Sequence, residues 1–332
     1  MFVRRRRRLL IYLLFGAVVF VGVYYILLGR QENTPGKHRQ KDDIDIWPIG
    51  LPKRTEKPLK PIPILVPQIH VKEMPPILVS SDMSDSEAEE YFFKFLENKD
   101  VKCNNDQRLG HQHDGGWNVC MSPPMGLVQP CIVYSFGIGT DWQFDDAVSK
   151  IYGCRVLAYD PSINTRDHNR SALIQFRELG IAPKNFETPA GWQMKTLGQF
   201  LKDNKHQNTY INYLKFDIEY SEWKVIESML EEGSLRKVKQ IGFEMHSREL
   251  FKVSKIDLPT GTEDFVRMYQ ILRKLEQHNF RKFNYRKNPF GEYKSIHTKK
   301  LRSCCYELHY VNMNLLKPNE TIVHTKDAPM FH

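Results

Sequence analysis

The chain has 332 residues, 41% hydrophobic and 26% charged, a composition ordinary for a globular protein and a length that allows one large domain with appendages. Its net charge of +9 points to nucleic acid only until it is located. Arg4 to Arg8 and Arg30 supply six of the 48 basic residues and residues 1–30 hold no acid, so the remainder carries +3 and no nucleic-acid groove is indicated.

Residues 1–8 read as a cytoplasmic tail and Leu9–Leu28, an uncharged run of 20, as a single transmembrane helix. The five arginines before the run stay on the cytoplasmic side. A cleaved signal peptide has a shorter apolar core that ends on small residues, whereas this run ends on Tyr24-Tyr25-Ile26-Leu27-Leu28. The expectation is a retained signal anchor of a single-pass type II protein, with the bulk of the chain in the lumen of the Golgi or another secretory-pathway membrane. The sequons at Asn169 and Asn319 agree with that side, as does an even count of six cysteines. Cys103 with Cys120 and Cys131 with Cys154 are the expected disulfides. Cys304 and Cys305 are adjacent, where a bridge is strained, so buried thiols are the other reading.

Residues 29–85, rich in Pro and Lys, form an extended stem. Asp43-Ile44-Asp45 within it resembles a metal-binding acid pair but has no folded context. Residues 86–130 make an N-terminal cap of the luminal domain. A helix starts from Ser84 or Ser86 with Tyr91, Phe92, Phe95 and Leu96 on one face. The polar stretch from Cys103 to Met121 reads as a disulfide-pinned loop. His111, His113 and Asp114 in it are metal-ligand types, but no further ligand is in sight and no metal is expected.

The main domain spans 131–315, with 316–332 as a C-terminal tail, and it is organised around residues 131–160. An apolar run, Cys131 to Phe136, leads into Gly137-Ile138-Gly139, a helical pattern, and a second apolar run, Val156 to Tyr159, closing on Asp160. That is strand, glycine turn, helix, strand. In a parallel α/β sheet such a turn admits a ligand close to the backbone, and an acid about 20 positions later holds ribose hydroxyls. Trp142 replaces the third glycine of the dinucleotide fingerprint, and its indole obstructs a pyrophosphate on the helix N-terminus. A nucleoside ligand without phosphates fits better, and S-adenosylmethionine is one. An ordinary βαβ unit is the competing reading.

Further strands are expected at Ala172–Phe176, Ile211–Phe216 and Val238–Phe243, and helices at Met194–Leu201, Ser221–Leu230 and Phe265–His278. Two antiparallel strands follow, around Arg281–Tyr285 and Cys304–Val311. The fold class is therefore α/β, a doubly wound, mostly parallel, Rossmann-like sheet with antiparallel C-terminal strands. Ligands bind such sheets at the carboxyl ends of the strands. The polar residues there are Gly137 and Gly139, Asp160, Asp217 and Glu219, and Glu244 and His246. Helix caps are the other reading of Glu219 and Glu244.

The blocks YSFGIGTDWQFDDAV, LAYDPS, YLKFDIEYSEW and GFEMH resemble the class I S-adenosylmethionine-dependent methyltransferases. Within them the chain is similar to the methyltransferase-like protein 24 group, related to FkbM-type enzymes, over roughly residues 87–312. The FkbM pattern Lys-x-Asp-x-Glu-Gly is matched except at Tyr220, where glycine is usual. The resemblance implies a class I methyltransferase fold in which Gly137 and Gly139 meet the methionine and ribose of the cofactor and Asp160 accepts from both ribose hydroxyls. It makes Asp217, His246 and Glu219 the catalytic candidates, with Asp217 and His246 orienting the acceptor and taking its proton. The implied function is methyl transfer to oxygen on a luminal glycan or protein. A Golgi glycosyltransferase, using Asp217 and Glu219 for a metal-bound nucleotide-sugar, is the alternative, and a non-catalytic protein of the same fold is the third reading.

Overall fold

The computed structural model describes residues 69–72, 76–248, 260–316 and 324–325. The expected anchor at 9–28, the Asp43–Asp45 pair and the Asn319 sequon lie outside them. Among the described residues no helix is long and apolar enough to cross a membrane.

Eight strands build the central sheet: β1 (Ile132–Phe136), β2 (Arg155–Tyr159), β3 (His168–Asn169), β4 (Ile174–Arg177), β5 (Tyr213–Phe216), β6 (Gln240–His246), β7 (Phe280–Lys287) and β8 (Cys305–Asn312). Their order is β7-β8-β6-β5-β1-β2-β4-β3. The five strands from β6 to β4 are parallel, and β8 runs antiparallel to both β6 and β7. The chain winds outward from β1 to β4, then returns to β5 and winds the other way. The switch point, where a crevice opens at the strand ends, therefore falls between β1 and β5.

Helices α1 (Asp85–Leu96), α2 (Gln143–Tyr152), α3 (Leu197–Asp203), α4 (Glu222–Glu231) and α5 (Thr262–Gln277) cover both faces. Phe92, Phe93, Trp223, Ile226, Phe265 and Leu272 pack on one face, while Phe144 and Val148 of α2 join Trp117 and Val119 on the other. β5 is buried along its whole length, as a central parallel strand must be. Across β5, β6 and β8 the rings of Phe216, Phe243 and Tyr310 stack with centroids 5.0 and 6.0 Å apart. Burying each such ring stabilises the fold by about 1.5–3 kcal/mol. Ser84 caps α1 through a reciprocal pair of bonds with Glu87, the role its sequence position predicts.

Three elements differ from expectation. The polar stretch after Cys103 is a hairpin, Asp106–Leu109 paired with Trp117–Cys120, because Arg108 reaches Glu307 on β8 at 2.6 Å and ties it to the sheet. Met194 belongs to a short strand, Gln193–Lys195, since Thr196 is the cap that starts α3. β6 runs three residues beyond Phe243, pairing Glu244 with Glu307 and His246 with Cys305, so both site candidates lie inside the strand. The disulfides Cys103–Cys120 and Cys131–Cys154 form as expected, and Cys304 is bonded to Cys305 where thiols were the other reading.

Candidate active site

The glycine turn closes β1 at the switch point. Gly137 has φ 66°, and a Cβ there would stand 1.7 Å from the Asp217 carbonyl oxygen. Its glycine is therefore what lets the turn lie against the end of β5. Gly139 has φ 53°, yet a Cβ there meets nothing within 4 Å, so the turn faces open space on that side. Lys215, buried inside β5, donates from Nζ to the Gly137 carbonyl at 2.6 Å and fixes the turn from beneath.

Asp160 ends β2 beside this turn and is 3% exposed. Its Oδ2 accepts from the Gly139 N–H at 2.8 Å, and its Oδ1 accepts from the Ser162 N–H and hydroxyl at 2.8 and 2.7 Å. A carboxylate offers about four acceptor positions, so three already serve the protein. Asp160 therefore holds the turn, a task that sequence spacing alone does not show. Trp142 precedes α2, and its indole packs against Phe176 and His168 with the Arg170 guanidinium 4.7 Å above the ring.

The second half of the site is acidic. Beyond β5 come Asp217, then Glu219 and Tyr220 at φ 53° and 74°. Position 220 is where the FkbM pattern has glycine, the residue that adopts a left-handed backbone most readily. Here Tyr220 adopts it, with its hydroxyl accepting from Arg267 at 2.8 Å. The bend returns the chain to α4, where Glu222 is wholly buried. Glu222 Oε1 accepts from the Ile218 N–H at 2.9 Å and from His246 Nδ1 at 3.1 Å. This carboxylate, rather than a Ser221 side-chain bond, closes the entry to α4. The Trp223 indole N–H donates to the His246 carbonyl at 2.8 Å, so α4 grips the histidine at both ends.

His246 Nε2 faces three carboxylate oxygens: Glu244 Oε2 at 3.6 Å, and Asp217 Oδ1 and Glu219 Oε2 at 3.9 Å. Asn288 donates to Glu244 Oε1 at 2.8 Å. Burial opposes charge on the imidazole, but the Glu222 bond and charge, backed by Asp217 and Glu244, push His246 up to about 10. Burial pushes Asp217 up to about 6, held back by the charges of His246 and Lys215. Burial and the Asp217 charge push Glu244 up to about 8. The carboxylates around the ring thus favour a proton on the imidazole.

The structure thus brings Gly137, Asp217, Glu219 and His246 to one place, with Gly139 and Asp160 on the neighbouring strand end. The metal-ligand types of the cap separate: His111 lies 3.8 Å from Asp141, while the His113 carbonyl accepts from Arg108 and Arg286. Sequence reasoning missed Lys215, Glu222 and Asn288. Lys215 has a signal, a lone basic residue in an apolar strand, and Glu222 has none beyond its place in a helix's first turn.

The family model described as "Methyltransferase domain" matches residues 68–300. The human protein named "Probable methyltransferase-like protein 24" is 27% identical over 271 residues, covering 74% of this chain and 70% of that protein. Its Rattus norvegicus counterpart of the same name is 28% identical over 290 residues, covering 80% and 72%. Among solved structures, a SAM-dependent methyltransferase from Anabaena variabilis is 14% identical and covers 72% of this chain and 100% of that one, with a TM-score of 0.31.

Proposed function

The chain belongs to the methyltransferase-domain family, and from that premise we propose that it methylates an oxygen acceptor, a glycan or a protein, from an anchored position in a secretory-pathway membrane. S-adenosylmethionine is the cofactor, and when bound it supplies a methyl group on a positively charged sulfur. Gly139 gives it room at the turn, which Gly137 lets lie against the end of β5, and Asp160 keeps that turn in place while offering its last acceptor position to a ribose hydroxyl. The observation that carries the reading is the contact between the two halves of the site. The Gly137 turn touches the Asp217 backbone, which joins the turn to the acidic cluster of Asp217, Glu219 and Glu244. Asp217 Oδ1, sealed and without a hydrogen-bond partner, is placed to receive the acceptor's proton as its oxygen takes the methyl group.

The anchor at 9–28 and the luminal side belong to the same proposal. Two disulfides between distant cysteines and an exposed Asn169 on edge strand β3 support them. With the family match, the nucleotide-sugar reading of Asp217 and Glu219 loses its ground. Calorimetric titration of S-adenosylmethionine into the wild type and Asp160→Ala tests the rest. Binding to the wild type that weakens in the variant is expected. Binding to neither protein would leave a fold without the activity. Incubation of candidate glycans and proteins with isotopically labelled cofactor, read by mass spectrometry, then identifies the acceptor.

A further inference from the structure

We infer that the cluster at the ends of β5 and β6 is a site for one oxygen-preferring divalent cation, of the Mn²⁺ and Mg²⁺ class, ligated by Asp217, Glu219 and His246 and placed to hold the acceptor's oxygen beside the cofactor turn. The role given to the ion rests on the methyltransferase reading. The site itself rests on geometry.

One ligand atom from each of these three residues lies within 4.8 Å of the others. The separations from His246 Nε2 to Asp217 Oδ1 and Glu219 Oε2, both 3.9 Å, are too long for hydrogen bonds. They suit donors that share an ion, because ligands each about 2.1 Å from a metal stand roughly 3–4 Å apart. His246 is almost wholly buried, and its Nε2 makes no hydrogen bond among the described residues although it points into the cluster. An ion bound there takes the place of the proton that otherwise stands on this nitrogen, so uptake releases a proton. Asp217 Oδ1 is likewise buried without a partner.

The support behind the ligands has the form of a metal centre. Glu222, buried and bonded to His246 Nδ1, fixes the ring orientation that turns Nε2 toward the carboxylates, as the outer carboxylate does for a ligating histidine. Four carboxylates, from Asp217, Glu219, Glu222 and Glu244, gather around one imidazole. The nearby Lys215 ammonium is already committed to the Gly137 carbonyl. Glu219 is 67% exposed, so its carboxylate lies at the mouth, where an ion and an acceptor oxygen both enter. One imidazole among oxygen donors favours Mn²⁺ or Mg²⁺ over the thiolate-preferring metals.

The test is titration of the purified full-length chain with Mn²⁺, following free Mn²⁺ by electron paramagnetic resonance, alongside calorimetric titration with S-adenosylmethionine. We expect saturable uptake of one Mn²⁺ per chain, with affinity about tenfold or more weaker in Glu219→Gln and in Glu222→Gln. Cofactor affinity should be retained in Glu219→Gln, whose exposed position leaves the fold intact. Absence of saturable uptake overturns the inference, as does uptake that neither substitution weakens. So does mutual displacement of Mn²⁺ and cofactor, because the cluster is then the counter-charge of the sulfonium. Cofactor binding without Mn²⁺ binding removes the cation and leaves the methyltransferase reading. Mn²⁺ binding without cofactor binding does the reverse.

Discussion

Replacing Asp145 by Asn will stabilise the protein at neutral pH, although it removes a charge from the first turn of α2. Asp145 is 1% exposed and its Oδ1 is buried without a partner. Burial pushes its carboxyl up from 3.8 to about 6 against the pull of Lys215. The native state therefore holds the proton over a range where the unfolded chain has lost it. Stability falls as pH rises from the unfolded value through the folded one, and the ionised group is a full liability above it. A gap of about two units corresponds to about 3 kcal/mol at pH near 7.5, shrinking to about 1 kcal/mol near pH 4.5. Urea denaturation of wild type and Asp145→Asn at those two pH values measures both figures. Equal gains at the two values, or a less stable variant at the higher one, would refute the argument.

Other substitutions separate the two halves of the site. Gly137→Ala forces a Cβ into the Asp217 carbonyl and should lower stability by about 3 kcal/mol or more, whereas Gly139→Ala, in open space, should cost about 1 kcal/mol. Thermal melting gives that contrast, and calorimetry should show cofactor binding weakened about tenfold in Gly139→Ala, with unchanged affinity counting against the turn as cofactor site. Ser162→Ala removes the hydroxyl that occupies Asp160 Oδ1 and should tighten cofactor binding a few-fold; weaker binding would show that Asp160 serves the turn alone. Tyr220→Gly relieves a left-handed backbone worth about 1 kcal/mol and gives up an Arg267 hydrogen bond of similar worth, so its melting point should barely move. Asn169→Gln should abolish an endoglycosidase-sensitive band shift in protein expressed through the secretory pathway, and absence of that shift in the wild type counts against luminal placement.

Legibility in the sequence follows the range of the forces involved. β1, its glycine turn and β2 are readable because an apolar run, two glycines and a terminal acid are all local signals. β7 and β8 are readable for the same reason, from β-branched and aromatic runs. The start of α3 misleads because Met194 fits a helical spacing, while the Thr196 side chain, accepting from the Gln199 N–H, marks the true beginning. Glu244 and His246 look like residues after a strand because nothing nearby says that β8 will pair with them.

The least readable residues are those whose role exists only between elements. Glu222 looks like any acid in the first turn of a helix, a position the helix dipole favours. Its partner His246 lies 24 residues away at the end of β6, and their bond turns an exposed-looking pattern into a buried pair. Lys215 reads as an interruption of an apolar strand until the Gly137 carbonyl arrives 78 residues back in the chain. The motif Lys-x-Asp-x-Glu thus has three physically different members. Lys215 locks the cofactor turn from below the sheet, Asp217 carries a sealed oxygen into the crevice, and Glu219 rides a left-handed bend to the mouth. Lys215 lies inside β5 and Asp217 directly beyond its end, so both stand where the Gly137 turn meets the strand. That is why one short block, rather than scattered residues, joins the cofactor half of the site to its acidic half.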